Sequence, residues 1–289
     1  MKRITKQIFT KLYRPPISSH KGQNGKLTII GGSRLFHGAS LWSLKIASRI
    51  VDMVFYSPVE ENVEITNKLK SEIYDFICVP RDKIENYIKE SDAVLIGPGL
   101  VRGDQQYTGT GESGEETKEL TERLLKKFPQ KKWIIDAGSL QMMEADWLKE
   151  LSKVIITPHI REFSQLFNES MEQLNKLPIE QLSDLISSKA NDYGCTIVLK
   201  GPQDIVCSPK ECVYDPQGNP GMTKGGTGDI LAGLIAAMAC KNDLFLASQA
   251  GVFAEGMAGD RLFARVGPYF NSSDLCDEIP KVLWELMGF

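Results

Sequence analysis

The sequence predicts an α/β fold in which helices cover both faces of a mostly parallel sheet. Short apolar runs of strand length alternate with helix-length stretches along most of the chain, and this alternation is typical of parallel sheets. The apolar runs are continuous, as expected for strands buried on both faces, and they end in turn-forming residues. Because no linker or internal repeat interrupts the pattern, residues 1–289 are predicted to form one domain, with residues 1–16 as a basic leader.

The individual elements follow in chain order. Residues 1–14 carry five basic and no acidic side chains, which favours a solvated amphipathic helix before Pro15-Pro16. Leu27–Ile30 is an apolar run closed by glycines, so a buried strand is expected there, and a helix follows from His37 to about residue 51. The later strands and helices are predicted at 53–56, 76–79, 93–96, 133–136, 154–157 and 196–200, and near 82–90, 115–128, 141–151, 160–168, 178–192, 243–262 and 274–288, with an antiparallel hairpin at 204–207 and 211–214.

Composition narrows the class of function. With 42% hydrophobic and 25% charged residues and a net charge of −3, the chain is typical of a globular protein and does not favour nucleic acid as a partner. No secretory signal and no apolar run long enough for a bilayer is seen, which favours the cytoplasm. The six cysteines form no CxxC pair, and free thiols are expected. Cys207 and Cys212 bracket the tip of the hairpin and could oppose one another, but a bond is not predicted.

The ends of the predicted strands carry residues suited to ligand binding. In open α/β sheets, ligands bind beyond the carboxyl ends of the strands. The residues at those ends are small, turning or chemically active: Gly31-Gly32-Ser33, Gly97-Pro98-Gly99, Asp136-Ala137-Gly138-Ser139, Thr157-Pro158-His159 and Lys200-Gly201.

A glycine-rich loop at 218–228 precedes Asp229 and an apolar, alanine-rich stretch at 230–240 that predicts a buried helix. Glycines let backbone N–H groups approach a ligand, and the first turn of a helix adds unpaired donors that attract phosphate oxygens. A carboxylate there would repel a resting phosphate, so Asp229 is better suited to act as a base on a neutral group. The alternative is that Thr227 or Asp229 only caps the helix, although capping does not require so many glycines.

Other candidates have structural alternatives. Lys200 could contact phosphates or could only end a strand, and His159 could serve a site or be a hydrogen-bonded structural group. Asp136 ends a buried run and therefore needs a partner, a bound cation or a capping role. The loop 102–114 could be a lid or plain surface. Neither a dinucleotide fingerprint nor a P-loop is present, and the histidines and cysteines form no metal-ligand set.

From about His20 to residue 285 the chain resembles the ADP/ATP-dependent NAD(P)H-hydrate dehydratases of the ribokinase-like superfamily. The resemblance rests on ordered blocks rather than on Gly-Thr-Gly-Asp alone, which would indicate only the superfamily. The blocks are His20-Lys21 with Gly25, Ile29-Ile30-Gly31-Gly32-Ser33, Gly38-Ala39, Gly97-Pro98-Gly99, Thr157-Pro158-His159 with Glu162-Phe163, Val198-Leu199-Lys200-Gly201, and Gly221-Met222 through Gly225-Gly226-Thr227-Gly228-Asp229.

The resemblance implies a ribokinase-like three-layer sandwich and the repair of NADH or NADPH hydrated at C6. Such enzymes phosphorylate the C6 hydroxyl from ADP or ATP, with Mg²⁺ on the nucleotide, and then eliminate phosphate. Asp229 would be the general base, and the N–H groups of Gly226, Thr227 and Gly228 would hold the transferred phosphoryl group. By the same resemblance, Ala39, Gly99, His159 and Asp229 would bind the hydrated dinucleotide, and Lys200, Gly201, Pro202, Gln203, Asp204 and Gly228 the nucleotide; no protein metal ligand is implied.

The chain departs from the family pattern at several positions. Gly138 stands where a second carboxylate is usual, Ser40 replaces a proline, and Lys224 replaces a small residue and adds a charge beside the glycine loop. A kinase of the same superfamily that releases a phosphorylated vitamin precursor or sugar, and a non-catalytic nucleotide-sensing module, therefore remain open alternatives. The resemblance also implies a homo-oligomer and a separate NAD(P)H-hydrate epimerase as functional partner.

Overall fold

A ten-stranded sheet forms the middle layer of the molecule. A computed structural model describes residues 1–69, 71–103 and 113–288, so most of the predicted loop 102–114 lies outside the described residues. The strand order is β1-β10-β9-β8-β7-β6-β5-β2-β3-β4. The strands are β1 (Lys2–Arg3), β2 (Lys26–Ile30), β3 (Met53–Ser57), β4 (Ile77–Cys78), β5 (Ala93–Ile96), β6 (Lys132–Ile135), β7 (Lys153–Ile156), β8 (Thr196–Leu199), β9 (Asp204–Cys207) and β10 (Cys212–Asp215).

The pairing is parallel except at β9, which runs antiparallel to both β8 and β10. The predicted hairpin is therefore confirmed, and β10 brings the chain back to the edge at which the parallel strands end. The basic leader differs from its prediction. Instead of an amphipathic helix it forms strand β1, paired with β10, and a 3₁₀ helix at Lys6–Lys11 that buries Phe9.

Helices cover both faces, as predicted. They are α1 (His37–Ala47), α2 (Val63–Leu69), α3 (Ile84–Glu90), α4 (Gly114–Lys127), α5 (Ala137–Met142), α6 (Ile160–Phe167), α7 (Met171–Leu174), α8 (Ile179–Asp192), α9 (Thr227–Ala239), α10 (Leu244–Val266) and α11 (Ser272–Met287). The expected helix at 141–151 is divided into α5 and a 3₁₀ helix at Ala145–Glu150.

Two apolar cores fill the spaces between sheet and helices. Side chains alternate across each strand, so that in β6 Ile134 joins the core under α1, α9, α10 and α11, whereas Trp133 and Ile135 join the core on the opposite face. Helix α9 is apolar on nearly all sides because it lies between the sheet and its neighbouring helices. Gly233 allows its contact with α1, since a Cβ there would lie 2.6 Å from the Ser43 Cα.

The cysteine prediction was wrong at one pair. Cys207 and Cys212 are directly opposite each other at the tip of the β9–β10 hairpin and form a disulfide. The hairpin register brings their Cα atoms to 4.1 Å, which spacing along the sequence alone does not show. Cys78, Cys195, Cys240 and Cys276 are not in a disulfide, as predicted.

Candidate active site

A cavity of about 390 Å³ opens at the carboxyl edge of the parallel strands. Six of the predicted site residues line it: Ala39, Gly99, His159, Lys200, Gly228 and Asp229. The other lining residues are Phe36, Leu100, Arg102, Asp136, Ala137, Gly138, Gln141, Glu162 and Gly225. The cavity therefore collects the ends of β5, β6, β7 and β8 together with the first turns of α1 and α9.

Close backbone contacts set the shape of this edge. Gly97 follows β5 with a φ of 120°, and a Cβ at this position would lie 1.8 Å from the Asp136 carbonyl oxygen. Only glycine meets both conditions. The turn after β5 can thus approach the turn after β6, and the residues that follow both strands reach the same cavity.

The glycine loop enters α9 through Gly226, which adopts a φ of 100° at the N-cap position. Neither Thr227 nor Asp229 caps this helix with its side chain, so the capping alternative is wrong. The Thr227 hydroxyl instead donates to the carbonyls of Met222 and Lys224, at 2.8 and 3.0 Å, and fixes the loop from within.

The backbone donors of the loop differ from the expectation in one respect. The Thr227 N–H already bonds the Lys224 carbonyl at 3.4 Å. Within the described part of the chain, the N–H groups of Gly226 and Gly228 have no such partner. These two donors, at the positive end of the α9 dipole, are available to an anion.

Lys224 does not face the cavity. Its ammonium bonds the carbonyls of Pro268 and Phe270, in the connection between α10 and α11, and lies 5.2 Å from the centre of the Phe270 ring. Ser272 adds a second link, because its hydroxyl donates to the Gly225 carbonyl at 2.8 Å. The extra charge at this position therefore ties the glycine loop to the α10–α11 connection.

Asp229 lies in the first turn of α9, with its carboxyl group at the cavity wall. Its backbone carbonyl accepts a bond of 2.7 Å from the Ser43 hydroxyl of α1, so the turn that carries the side chain is fixed from behind. Burial raises the pKa of Asp229 to about 7; the Asp136 carboxylate adds to the rise and the Lys200 ammonium opposes it. A carboxyl group with this pKa exchanges a proton readily near neutral pH.

Asp136 and Lys200 form a buried ion pair on the cavity floor. The Lys200 Nζ lies 2.9 Å from the Asp136 Oδ1, and the Thr157 hydroxyl donates to the same oxygen at 2.8 Å. Asp136 thus has the partner that the sequence required, and it makes no capping bond to α5. Burial lowers the pKa of Lys200, but the Asp136 carboxylate and other nearby acids outweigh it and hold that pKa above its usual range.

His159 has a structural role in addition to its place in the cavity. Its Nδ1 accepts the N–H of Glu162 at 3.2 Å, and the Glu162 carboxylate accepts the His159 N–H at 2.9 Å. This capping box begins α6. The imidazole remains 46% exposed toward the cavity, so it can contact a ligand while it caps the helix.

Sequence reasoning did not select several residues that line the cavity. Glu162 is the acidic one, and its second oxygen accepts the Gln141 amide at 2.8 Å. Its spacing three residues after His159 is the signal that could have located it, because that spacing is a capping-box pattern. Arg102, Phe36 and Gln141 lie in segments without a local motif, and only the fold brings them here.

The remaining predicted nucleotide contacts lie beside the cavity rather than in its wall. Gly201, Pro202 and Gln203 form an exposed turn between β8 and β9. Asp204 accepts the Gly201 N–H at 2.8 Å, and burial raises its pKa to about 7. This turn adjoins Lys200, so a nucleotide placed with its phosphates at Gly228 could extend over it.

The described residues contain neither a metal-ligand cluster nor a membrane-spanning helix. In that part of the chain, no group of three acidic, histidine or cysteine side chains is placed to hold a metal ion. Among the same residues, no helix is long and apolar enough to cross a membrane.

Comparison with known proteins shows the family of the chain. The family model described as NAD(P)H-hydrate dehydratase matches residues 27–281. The chain is 33% identical over 271 residues to a bifunctional NAD(P)H-hydrate repair enzyme of Methanocaldococcus jannaschii, covering 92% of this chain and 49% of that protein. It is 30% identical to an ADP-dependent (S)-NAD(P)H-hydrate dehydratase of Cenarchaeum symbiosum, covering 92% and 90%.

The fold agrees as well. A crystal structure of an ADP/ATP-dependent NAD(P)H-hydrate dehydratase from Bacillus subtilis, co-crystallized with ATP/Mg²⁺, superimposes with a TM-score of 0.77 at 22% identity, covering 99% of this chain and 98% of that one. The predicted ribokinase-like sandwich is thereby confirmed. The chain spans about half the length of the first bifunctional relatives it matches.

Proposed function

Because this chain belongs to the NAD(P)H-hydrate dehydratase family, we propose that it dehydrates hydrated NADH and NADPH at the expense of ADP or ATP. Hydroxide is a poor leaving group, so the C6 hydroxyl must first become a better one. Transfer of the terminal phosphoryl group of the nucleotide converts it into a phosphate ester. Loss of phosphate from C6 and of a proton from C5 then restores the ring double bond.

The observation that carries the proposal is which of the three carboxylates in the cavity have hydrogen-bond or ion-pair partners. Asp136 is paired with Lys200, and Glu162 is bonded to His159 and Gln141. The Asp229 carboxylate makes no hydrogen bond or ion pair within the described ranges 1–69, 71–103 and 113–288. It is therefore the carboxylate available to accept the proton of a substrate hydroxyl.

The groups around Asp229 suit phosphoryl transfer. The Gly226 and Gly228 N–H groups lie at the start of α9, and the Lys200 ammonium lies close to Gly228, since a Cβ there would be 3.4 Å from its Nζ. Phosphoryl transfer depends mainly on positioning and on charge stabilisation. In the proposed reaction Asp229 takes the hydroxyl proton, the oxygen attacks phosphorus, and the bond from phosphorus to the nucleotide breaks.

We assign Mg²⁺ to the nucleotide rather than to a protein site. The described residues hold no three-ligand cluster for a metal ion, and Mg²⁺ is often bound through substrate phosphates. The relative from Bacillus subtilis was co-crystallized with ATP/Mg²⁺, which supports this assignment. The nucleotide–Mg²⁺ complex is thus the second substrate.

The test follows two products of one reaction. The purified chain is incubated with NADH-hydrate and either ADP or ATP with Mg²⁺, while reduced-nicotinamide absorbance and free phosphate are recorded. We expect both to rise in equal amounts, and we expect Asp184→Asn, an exposed change on α8, to leave the rate unchanged. A phosphorylated product that accumulates would identify a kinase, and nucleotide binding without phosphate release would identify a sensing module.

We further propose that this chain acts on the S epimer alone, with epimerisation supplied elsewhere. The support is the name of the Cenarchaeum symbiosum relative, which specifies the S form. A mixture of the two hydrates should therefore be consumed to the extent of its S fraction. Complete consumption without an added epimerase would contradict this assignment.

A further inference from the structure

Three neighbouring strands are linked at a single oxygen atom on the cavity floor. Asp136 follows β6, Thr157 follows β7, and Lys200 follows β8. The Asp136 Oδ1 accepts both the Thr157 hydroxyl and the Lys200 ammonium. The Lys200 backbone is held as well, since its N–H donates to the Pro158 carbonyl at 2.8 Å.

The pair places the lysine charge beside the first turn of α9. Asp136 is 1% exposed, and the Lys200 side chain is 19% exposed. A Cβ at Gly228 would lie 3.4 Å from the Lys200 Nζ, whereas one carried by Gly225 would meet no atom within 4 Å. The ammonium therefore lies beside Gly228, the residue that precedes Asp229. Within the described residues, however, its ion pair is with Asp136 and not with Asp229.

An unrestrained lysine in this place would bind the base. Opposite charges at hydrogen-bond distance attract strongly where water is scarce, and an ammonium bonded to a carboxylate reduces its tendency to take up a proton. Lys200 would then occupy the oxygen that must accept the substrate proton. It would also lie away from the phosphoryl group whose charge it should balance.

We propose that Asp136 is a positioning residue that holds the Lys200 ammonium at Gly228 and prevents it from pairing with Asp229. Thr157 supports this role because its hydroxyl fixes the same oxygen. The proposal rests on the proposed function, in which Asp229 is the base and Gly228 faces the transferred phosphoryl group. It assigns the geometry of the pair to catalysis rather than to folding alone.

Other charges also face Asp229, and all of them act on its titration. The Lys200 ammonium and the Arg102 guanidinium lower the pKa of Asp229, whereas Asp136 and Glu162 raise it in addition to the effect of burial. Helix α1 contributes the uncharged Ala39 to the cavity. Further groups near the pair are His159, which lines the cavity, and Asp204 and Glu255, which are within electrostatic range of Lys200.

The experiment measures the pH profile of kcat/KM in Asp136→Asn, in Thr157→Val, in Lys200→Met and in the double variant that combines Asp136→Asn with Lys200→Met. In Asp136→Asn the side chain keeps its shape but loses its charge, so Lys200 is released toward Asp229. The lost charge by itself also lowers the pKa of Asp229, so Thr157→Val, which keeps both charges, is the deciding variant. We expect the acid limb of kcat/KM to move to lower pH by about one unit and kcat to fall on the order of tenfold. In the double variant with Lys200→Met the limb should return to the pH of wild type or above.

Thr157→Val keeps both charges and should move the acid limb in the same direction by a smaller amount. Each variant is first compared with wild type by thermal unfolding, so that a loss of fold is recognised. An acid limb that stays in place in Thr157→Val would overturn the proposal, because the loss of the Asp136 charge accounts by itself for a shift that is seen only in Asp136→Asn.

A second measurement separates this proposal from the proposed function. Carbon-13 NMR of aspartate-labelled protein follows the titration of Asp229 without turnover, with the signal assigned by its loss in Asp229→Asn. We expect Thr157→Val, which keeps both charges of the pair, to lower the midpoint even if NADH-hydrate is not the substrate. An active wild type with an unmoved midpoint would refute the positioning role, whereas a moved midpoint with an inactive wild type would refute only the proposed function.

Discussion

Replacing Asp229 by asparagine is expected to stabilise the protein while it stops turnover. Burial raises the pKa of this carboxyl group from 3.8 to about 7, so the folded state binds a proton more tightly than the unfolded state. Below about pH 4 both states are protonated and the group has no effect on stability. As pH rises, this carboxyl group ionises first in the unfolded state. The resulting decrease in the free energy of unfolding is complete above about pH 7.

The size of the effect follows from the pKa difference. About three pKa units correspond to about 4 kcal/mol at about 1.4 kcal/mol per unit, which is an upper limit. The carboxyl group lies in the wall of an open cavity, where water reduces the cost. We therefore expect Asp229→Asn to raise the free energy of unfolding by about 1–2 kcal/mol above pH 7, equivalent to a few degrees in Tm.

Urea unfolding at pH 8 and pH 4.5 measures this gain, with Asp184→Asn as the matched surface control. The gain should be present in full at pH 8, reduced to roughly a quarter at pH 4.5, where the unfolded state is still largely ionised, and absent in the control at both. In the same variant kcat should fall by about two to four orders of magnitude, because the general base is lost. Near-normal turnover, or equal stability at pH 8, would refute the reasoning that Asp229 is a desolvated base.

Three further changes test other parts of the fold. Lys224→Met should lower kcat several-fold with little change in Tm, because it releases the glycine loop from the α10–α11 connection, and Lys224→Arg should restore the rate in a steady-state assay. Gly233→Ala should lower the free energy of unfolding in urea by about 1–3 kcal/mol, since its Cβ would meet the α1 backbone. The control Gly38→Ala, which has open space around it, should not lower the free energy of unfolding. Replacing both Cys207 and Cys212 by alanine should lower stability by about 2 kcal/mol, the amount expected for a short closed loop, with kcat unchanged; a loss of activity would show that the hairpin tip influences the site.

The locations of the parallel strands were predictable from the sequence, whereas the conformation of the leader was not. Each parallel strand is a continuous apolar run between turn-forming residues, so its location depends on local sequence alone. The basic leader also shows an apolar period, but Ile4, Phe9 and Leu12 are buried against the rest of the molecule. Its conformation is decided by the pairing of Lys2 with Val213 at the far end of the chain, and tertiary contacts of this kind are not encoded in a local pattern.

The same distinction applies to the site. Residues at strand ends, such as Lys200 and Asp136, could be selected because parallel strands deliver their carboxyl ends to one edge. Which of them pair could not be predicted, because β6 and β8 are separated in the sheet by β7 and the Lys200 side chain must cross the end of that strand. The orientation of the Lys224 side chain could not be predicted either, since its hydrogen-bond partners lie 44 and 46 residues away in the sequence.

A base that titrates near neutral pH resolves a conflict within the cavity. An ionised carboxylate attracts the proton of a hydroxyl, but it repels the phosphoryl group that must approach the same oxygen. In the proposed reaction Asp229 loses its charge when it takes that proton, so repulsion falls while negative charge moves onto the phosphoryl oxygens near Lys200 and the Gly228 N–H. An aspartate with an ordinary pKa would release the proton again at once at pH 7, and a paired one would not take it. The desolvation that costs stability is therefore what allows one carboxyl group to serve the transfer step and then remain neutral beside the departing phosphate.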